Sequence, residues 1–222
     1  MTETMWNAVD EYTTGALVAS DAALDTAAAA NEEFGLPDIA VAPNQGKFLH
    51  LLARVRGARS ILEIGTFGGY STIWLARALP EGGRLVTLES EESFSAVARA
   101  NVARAGVADA VDLRVGTALD LLAELDAEGA GPFDMVFVDA NKPAIPEYFT
   151  WALRLTRPGS VIVVDNVVLG GAVLDPEHPD RGVRGVRRFH EMLAAEPRVS
   201  ATTLQTVGSK GHDGFTLALV TG

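Results

Sequence analysis

Residues 62–71 read LEIGTFGGYS, an apolar strand that runs directly into a glycine-rich turn. This pattern is typical of the first strand–turn–helix unit of an α/β domain, where ligands bind beyond the carboxyl ends of parallel strands. Gly65, Gly68 and Gly69 allow the backbone to approach a ligand closely. The helix expected from Ser71 presents free N–H groups at its start. We therefore expect the ligand site of the fold at this turn.

Short runs of β-branched residues alternate with helical patterns after this turn. We predict strands at residues 60–64, 84–88, 111–115, 135–139 and 160–165, and helices at residues 71–79, 92–105, 118–128 and 146–155. This alternation is typical of βαβ units around a parallel sheet. The runs VFVD and VIVVD are apolar at successive positions, which indicates strands covered on both faces in the middle of the sheet.

The two ends of the chain differ from this central pattern. After a helix near residues 185–195, strands at 199–204 and 215–220 flank the loop TVGSKGHDG and must pair antiparallel. Before the first strand, helical patterns cover residues 6–20, 22–33 and 44–56, with Gly35-Leu36-Pro37 between the last two. We therefore predict one domain over residues 1–222, with a helical cap (1–57) and a Rossmann-like core (58–222). The core is an α/β, doubly wound, seven-stranded sheet, mostly parallel with an antiparallel C-terminal hairpin.

Composition restricts the classes of partner. The formal net charge of −11 disfavours a nucleic-acid backbone as the main partner. The only basic patch, RGVRGVRR at residues 181–188, is expected to be the exposed start of a helix. The chain has no cysteine, no apolar run long enough to span a membrane and no secretory pattern at its start, so we expect a cytoplasmic protein without membrane contact.

The glycine-rich turn does not fit a phosphate-containing cofactor. A dinucleotide loop reads G-x-G-x-x-G, but Phe67 and Tyr70 occupy two of those glycine positions. Glu63 on the first strand is placed to pair with an amino group, and Glu89 ends the next strand, where a ribose diol is usually bound. S-adenosylmethionine has both groups and no phosphate. The alternatives are a structural glycine turn, a solvated Glu63 and a Glu89 that only begins a helix.

Acidic side chains end two further strands. Asp139 follows one apolar run, and Asp165-Asn166 follows the other. Two carboxylates and an amide suit a hard cation such as Mg²⁺, with water and substrate completing its coordination. The alternative is that each aspartate merely caps a loop. That does not explain why both follow unbroken apolar runs with Lys142 three residues after Asp139.

The chain resembles the cation-dependent O-methyltransferases, the group of catechol and caffeoyl-CoA O-methyltransferases and their bacterial relatives. The resemblance runs from about Ile39 to the C-terminus and rests on LEIGTFGGYS, LES, FDMVFVDANKP, LTRPGSVIVVDNVVLGG and the closing hairpin. One position departs from it. Members of the caffeoyl-CoA type usually read DADK, whereas this chain reads DANK, so an acidic role at Asn141 is in doubt.

The resemblance implies roles for individual residues. Metal ligands fall on Asp139, Asp165 and Asn166, and the catalytic lysine falls on Lys142. Contacts to S-adenosylmethionine fall on Val41, Glu63, Gly65, Ser71, Glu89, Ala118 and Asp139, and Phe67 in the same loop is a further candidate.

The resulting hypothesis is metal-dependent methylation of a hydroxyl on a catechol-type small aromatic substrate, with Mg²⁺, Mn²⁺ or Ca²⁺ as the cation. Lys142 would accept the hydroxyl proton, or it would only neutralise the aspartates. We expect a homodimer, with substrate contacts from the cap, from the loop over residues 169–184 and from the hairpin. The alternatives are a methyltransferase for a hydroxylated tRNA base, and a non-catalytic adenosine-ligand binder or a redox Rossmann domain.

Overall fold

The computed structural model describes residues 2–19, 21–34 and 39–222. Seven strands form one sheet in the order β3-β2-β1-β4-β5-β7-β6. The strands are β1 (Ser60–Ile64), β2 (Arg84–Glu89), β3 (Val111–Val115), β4 (Met135–Val138), β5 (Val161–Asp165), β6 (Val199–Gly208) and β7 (Gly211–Val220). The first five are parallel, and β7 runs antiparallel to both β5 and β6. The predicted fold class is confirmed.

Eight α-helices accompany the sheet in the described part of the chain. They are α1 (Glu3–Leu17), α2 (Ala22–Glu33), α3 (Pro43–Arg56), α4 (Tyr70–Ala76), α5 (Glu92–Arg104), α6 (Ala118–Ala127), α7 (Ile145–Arg154) and α8 (Arg181–Ala195). Short 3₁₀ turns occur at Ala108–Ala110, Lys142–Ala144 and Leu169–Leu174. Across the described residues, no helix is both long and apolar enough to cross a membrane.

Helices cover both faces of the sheet, as the apolar runs require. Helices α2 to α5 pack on one face and α6 to α8 on the other. Every residue of β4 and β5 is buried, which confirms the central position predicted from VFVD and VIVVD. The ligand-side ends of β1, β4 and β5 therefore meet at one edge of the sheet.

The N-terminal helices pack on the same core as the sheet. Leu24 and Ala27 of α2, and Leu49 and Ala53 of α3, are buried in the cluster that contains Ile61 of β1. Helix α1 has no buried residue. The predicted helix end at Ser20 and the predicted break at residues 35–37 lie outside the described residues.

The C-terminal hairpin is longer than its sequence predicts. Residues 206–208 and 211–214, expected as loop, continue the β6–β7 ladder, so the turn is reduced to Ser209-Lys210. Because β6 is an edge strand exposed along most of its length, it has no apolar alternation to reveal its extent. Helix α8 begins at Arg181, so the basic patch at residues 181–188 is the start of a helix as expected, although the helix itself was placed only near residues 185–195. The Asp180 side chain caps it by accepting hydrogen bonds from two backbone N–H groups.

Candidate functional site

The glycine-rich turn approaches the end of β4 more closely than a side chain would allow. Gly65 has φ = 102°, and a Cβ atom at this position would lie 2.0 Å from the backbone oxygen of Asp139. Glycine is therefore required both by its backbone conformation and by the lack of space. This close approach brings the turn after β1 against the first of the two acidic strand ends.

A cavity of about 500 Å³, here called the loop cavity, opens at the carboxyl ends of β1, β2 and β4. Seven of the eight predicted cofactor contacts line it: Val41, Gly65, Phe67, Ser71, Glu89, Ala118 and Asp139. Phe94 and Tyr148 also line the loop cavity, although the sequence offered no signal for them. The Phe94 ring packs edge to face with Phe67, at 5.1 Å between centroids.

Glu63, the eighth predicted contact, lies behind the loop cavity and not in its wall. Its side chain is fully buried, which also excludes a solvated strand end. The carboxylate accepts hydrogen bonds from the hydroxyls of Ser71 (2.6 Å), Thr72 (2.5 Å) and Thr87 (2.7 Å). Burial raises the pKa of Glu63 to about 7, and the hydroxyl donors oppose this. In the structure the Glu63 carboxylate holds the Ser71 hydroxyl of the cavity wall, and the amino-group contact of Glu63 stays a prediction.

Glu89 lies in the wall of the loop cavity and organises the turn. One carboxylate oxygen accepts the backbone N–H of Phe67 at 2.7 Å, and the other accepts the backbone N–H of Glu91 at 3.0 Å. Phe67 has a positive φ of 51°, uncommon for a residue other than glycine. The hydrogen bond from the Phe67 N–H to the Glu89 carboxylate helps to hold that conformation.

The three predicted metal ligands follow adjacent parallel strands. Asp139 comes directly after β4, and Asp165 ends β5 with Asn166 next to it. Asn166 has φ = 54°, a left-handed conformation that asparagine tolerates better than most residues. Described residues contain no group of three or more His, Cys, Asp or Glu side chains able to hold a metal, so a cation here would depend on the amide of Asn166, on water and on substrate.

The surroundings of Asp165 fit a cation. Its side chain is buried, yet within the described part of the chain the hydrogen-bond donors to its carboxylate are neutral: the Asn166 backbone N–H (2.9 Å) and Nε2 of Gln45 (2.6 Å). Burial and the neighbouring charge of Asp139 raise the pKa of Asp165, and the charge of Lys142 opposes this. A buried carboxylate is stable as an anion only when a cation compensates it. The candidate metal ligands Asp139, Asp165 and Asn166 offer oxygen atoms, which hard cations prefer.

Lys142 lies beside the first of these carboxylates. Its Nζ donates to Oδ1 of Asp139 at 2.8 Å and to the backbone oxygen of Asp165 at 3.5 Å. Helix α8 packs against the backbone of Lys142, where a Cβ on Gly185 would lie 2.4 Å from the Lys142 carbonyl oxygen. Because Gly185 has no side chain, α8 can pack directly against the 3₁₀ turn that begins at Lys142.

A second cavity of about 330 Å³, the hairpin cavity, lies on the other side of Asn166. Its wall combines the cap, the end of β5 and the hairpin: Asp10, Ala42, Asn44, Gln45, Phe48, Asp165, Asn166, Thr206, Val207, Gly208, Lys210, Gly211, Asp213 and Phe215. The cap and the hairpin are two of the three regions expected to contact substrate. The third, the loop over residues 169–184, contributes none of the described residues of this wall. Sequence reasoning did not find Gln45, Phe48 or Phe215.

Comparison with known proteins identifies the family of the chain. The O-methyltransferase family model matches residues 19–220. A catechol O-methyltransferase of Niastella koreensis is 52% identical over 220 residues, which cover 99% of this chain and 100% of that protein.

Two solved structures share the whole fold. The O-methyltransferase TomG of Streptomyces achromogenes, involved in tomaymycin synthesis and solved in complex with SAM, is 68% identical, with a TM-score of 0.97 and full coverage of both chains. The Bacillus cereus O-methyltransferase, in complex with SAH, is 53% identical, with a TM-score of 0.97 over 99% of this chain and 100% of that one. The predicted enzyme class, S-adenosylmethionine-dependent O-methyltransferase, is confirmed. The chain belongs to the O-methyltransferase family.

Proposed function

We propose that this enzyme transfers the methyl group of S-adenosylmethionine to one hydroxyl of a small aromatic vicinal diol, with a divalent cation at Asp139, Asp165 and Asn166. The observation that carries this proposal is the position of Asn166, which lines both cavities. A methyl donor in the loop cavity and an acceptor in the hairpin cavity would therefore meet at the candidate metal ligands. The order of the motifs along the chain and the names of the relatives support the same chemistry.

Residues of the loop cavity suit the parts of the methyl donor. Ser71, whose hydroxyl is held by Glu63, and Asp139 offer polar groups for the amino-acid part. Glu89 offers carboxylate oxygens for the ribose hydroxyls. Phe67 and Ala118 offer apolar surface for the adenine, while Val41 and Gly65 complete the wall.

The donor set favours Mg²⁺, with Mn²⁺ or Ca²⁺ as alternatives. When bound, the cation acts as a Lewis acid that favours ionisation of a chelated hydroxyl and orients it. Asp139, Asp165 and Asn166 would hold the cation, and Gln45 and the Asn166 N–H keep the Asp165 carboxylate in one orientation.

Lys142 is the proposed proton acceptor. A phenol has a pKa of about 10 and is largely protonated at neutral pH. The Asp139 carboxylate holds Nζ of Lys142 at the boundary between the strands that carry the metal ligands. At this position Nζ would lie beside a hydroxyl held at those ligands and could take its proton.

A methyl-transfer assay with labelled S-adenosylmethionine tests the function. The substrates are catechol, caffeoyl esters and hydroxylated aromatic amino-acid derivatives, each with and without Mg²⁺, and phenol and resorcinol are the matched controls. Methylation of vicinal diols alone supports chelation. Equal methylation of phenol or resorcinol would contradict the diol requirement, and methylation of tRNA in place of these small molecules would contradict the substrate class.

We also propose that the enzyme is a cytoplasmic homodimer and that residues 1–222 form one domain. Exposed apolar side chains occur on α1 (Tyr12), α3 (Val55) and the edge strand β6 (Leu204), and α1 contacts both other elements. An unpaired edge strand with apolar side chains favours association. Sedimentation velocity should give a dimer that Leu204→Glu weakens, and a monomer at micromolar concentration would contradict the proposal.

A further inference from the structure

Gln45 occupies the first turn of α3, and hydrogen bonds fix that turn in place. The Asn44 side chain accepts the backbone N–H of Gln45 at 2.8 Å and donates to Oδ1 of Asp10 at 2.9 Å. Asp10 in turn accepts the backbone N–H of Ser209 at the hairpin turn, at 2.9 Å. The helix start that carries Gln45 is thus connected to both α1 and the hairpin.

The Gln45 amide meets a residue 120 positions later in the chain. Its Nε2 donates to Oδ2 of Asp165 at 2.6 Å, while the Asn166 backbone N–H donates to Oδ1 at 2.9 Å. Each oxygen of Asp165 therefore has one donor, and rotation of the carboxylate would break both bonds. Both donors are neutral, so they orient the carboxylate without cancelling its charge.

Gln45 is also part of the hairpin cavity wall. Phe48 lies one turn later on the same face of α3 and packs against Phe215, with ring centroids 5.0 Å apart. Phe215 is paired in register with Asp165 across β5 and β7. The Gln45 amide therefore contacts the Asp165 carboxylate. Gln45 is also part of the hairpin cavity wall, beside the aromatic surface that Phe48 and Phe215 form.

We propose that Gln45 is a positioning residue for methyl transfer. Its amide fixes the Asp165 carboxylate for cation binding, and its place in the wall helps to select which hydroxyl of the diol faces the loop cavity. This inference rests on the proposed function. A residue that only anchored α3 would affect stability, but neither cation affinity nor the choice of hydroxyl.

The first test is a titration of Mn²⁺ into the purified enzyme, with free Mn²⁺ followed by electron paramagnetic resonance. Partners of metal ligands typically contribute 10–100-fold to metal affinity. Gln45→Met, which keeps the length of the side chain and removes the hydrogen bond, should weaken Mn²⁺ binding about 10-fold. Arg54→Met, an exposed position on the same helix, should bind Mn²⁺ like the wild type.

The second test measures product distribution at saturating Mg²⁺. With the unsymmetrical catechol that gives the highest turnover, Gln45→Met should change the ratio of the two methylated isomers and raise the KM for the acceptor. Affinity for S-adenosylhomocysteine should stay unchanged, because Gln45 lies outside the loop cavity wall. That unchanged affinity also shows that the variant is folded.

The outcomes separate the two proposals. If the wild type binds Mn²⁺ and Asp165→Asn does not, the cation site is supported. If Gln45→Met then matches the wild type in Mn²⁺ affinity, isomer ratio and acceptor KM, the role of Gln45 is wrong while the proposed function stands. If the wild type binds no Mn²⁺, the proposed metal requirement is wrong, and the proposed role of Gln45 in positioning a metal ligand is wrong as well.

Discussion

Nζ of Lys142 lies 2.8 Å from Oδ1 of Asp139, so the candidate base and a candidate metal ligand form an ion pair. The lysine and a divalent cation would share one carboxylate. A cation at Asp139 would compete with Nζ of Lys142 for that carboxylate and would free the amine to face the acceptor hydroxyl. The geometry thus connects cation binding to the activation of the base.

Replacement of Lys142 separates a role as base from a role as countercharge. Lys142→Arg keeps the positive charge, but a guanidinium does not deprotonate in proteins. If Lys142 is the base, Lys142→Arg and Lys142→Met should both lower kcat by about 10²–10⁴-fold, with S-adenosylhomocysteine affinity unchanged. Steady-state kinetics and calorimetry give the two values. Near-normal kcat in Lys142→Arg would show that only the charge matters.

Glu63 should make stability depend on pH. Its pKa is raised to about 7 in the folded enzyme from an ordinary value of 4.5. The folded state therefore binds more protons between these values, and the stability that Glu63 contributes is lost as pH rises through about 7. The difference amounts to about 3 kcal/mol. In urea unfolding with chelator present, Glu63→Gln should show a smaller loss of stability from pH 4.5 to 7.

Glu11→Gln is the control for this measurement, because Glu11 is an exposed carboxylate on α1. It should follow the wild-type pH profile. If Glu63→Gln follows that profile as well, the raised pKa of Glu63 is refuted.

The contact between Gly65 and Asp139 should make Gly65 intolerant of any side chain. Gly65→Ala places a Cβ 2.0 Å from the Asp139 backbone oxygen, so the turn or the end of β4 must shift. Gly106→Ala is the matched control, because Gly106 also has a positive φ, of 70°, but has open space around it. Gly106→Ala should cost about 1 kcal/mol of stability.

Gly65→Ala should cost more stability than this control and should weaken S-adenosylhomocysteine binding at least 10-fold. Thermal unfolding and calorimetry measure both effects. Equal behaviour of the two variants would mean that the close approach at Gly65 is not important for the cofactor site.

The sheet and most of the loop cavity could be predicted because their signals are local. VFVD and VIVVD are unbroken apolar runs, and such runs are typical of strands buried on both faces. Four residues of the candidate site lie at the ends of predicted strands, where the sequence pattern locates them: Gly65, Glu89, Asp139 and Asp165. Glu63 was placed on the correct strand, but the direction of its side chain depends on hydroxyl donors from α4 and β2.

The cap and the hairpin were expected to contact substrate, but the individual residues of the hairpin cavity could not be predicted, because the cavity is built from distant parts of the chain. The contact of Gln45 with Asp165 joins residues 120 positions apart. Nothing in the local sequence distinguishes Gln45 from a glutamine on the exposed face of a helix. The full length of β6 and β7 could not be predicted either, because no local pattern marks the ends of these strands. Their ends contain glycine and polar residues, and pairing across a two-residue turn decides their conformation.

The central claim is that methyl transfer needs a divalent cation held by Asp139, Asp165 and Asn166. The direct measurement is the rate of catechol methylation by enzyme treated with excess chelator, before and after addition of Mg²⁺. We expect no turnover in chelator, full recovery with Mg²⁺, and no recovery in Asp165→Ala that still binds S-adenosylhomocysteine. Full activity in excess chelator would contradict the claim.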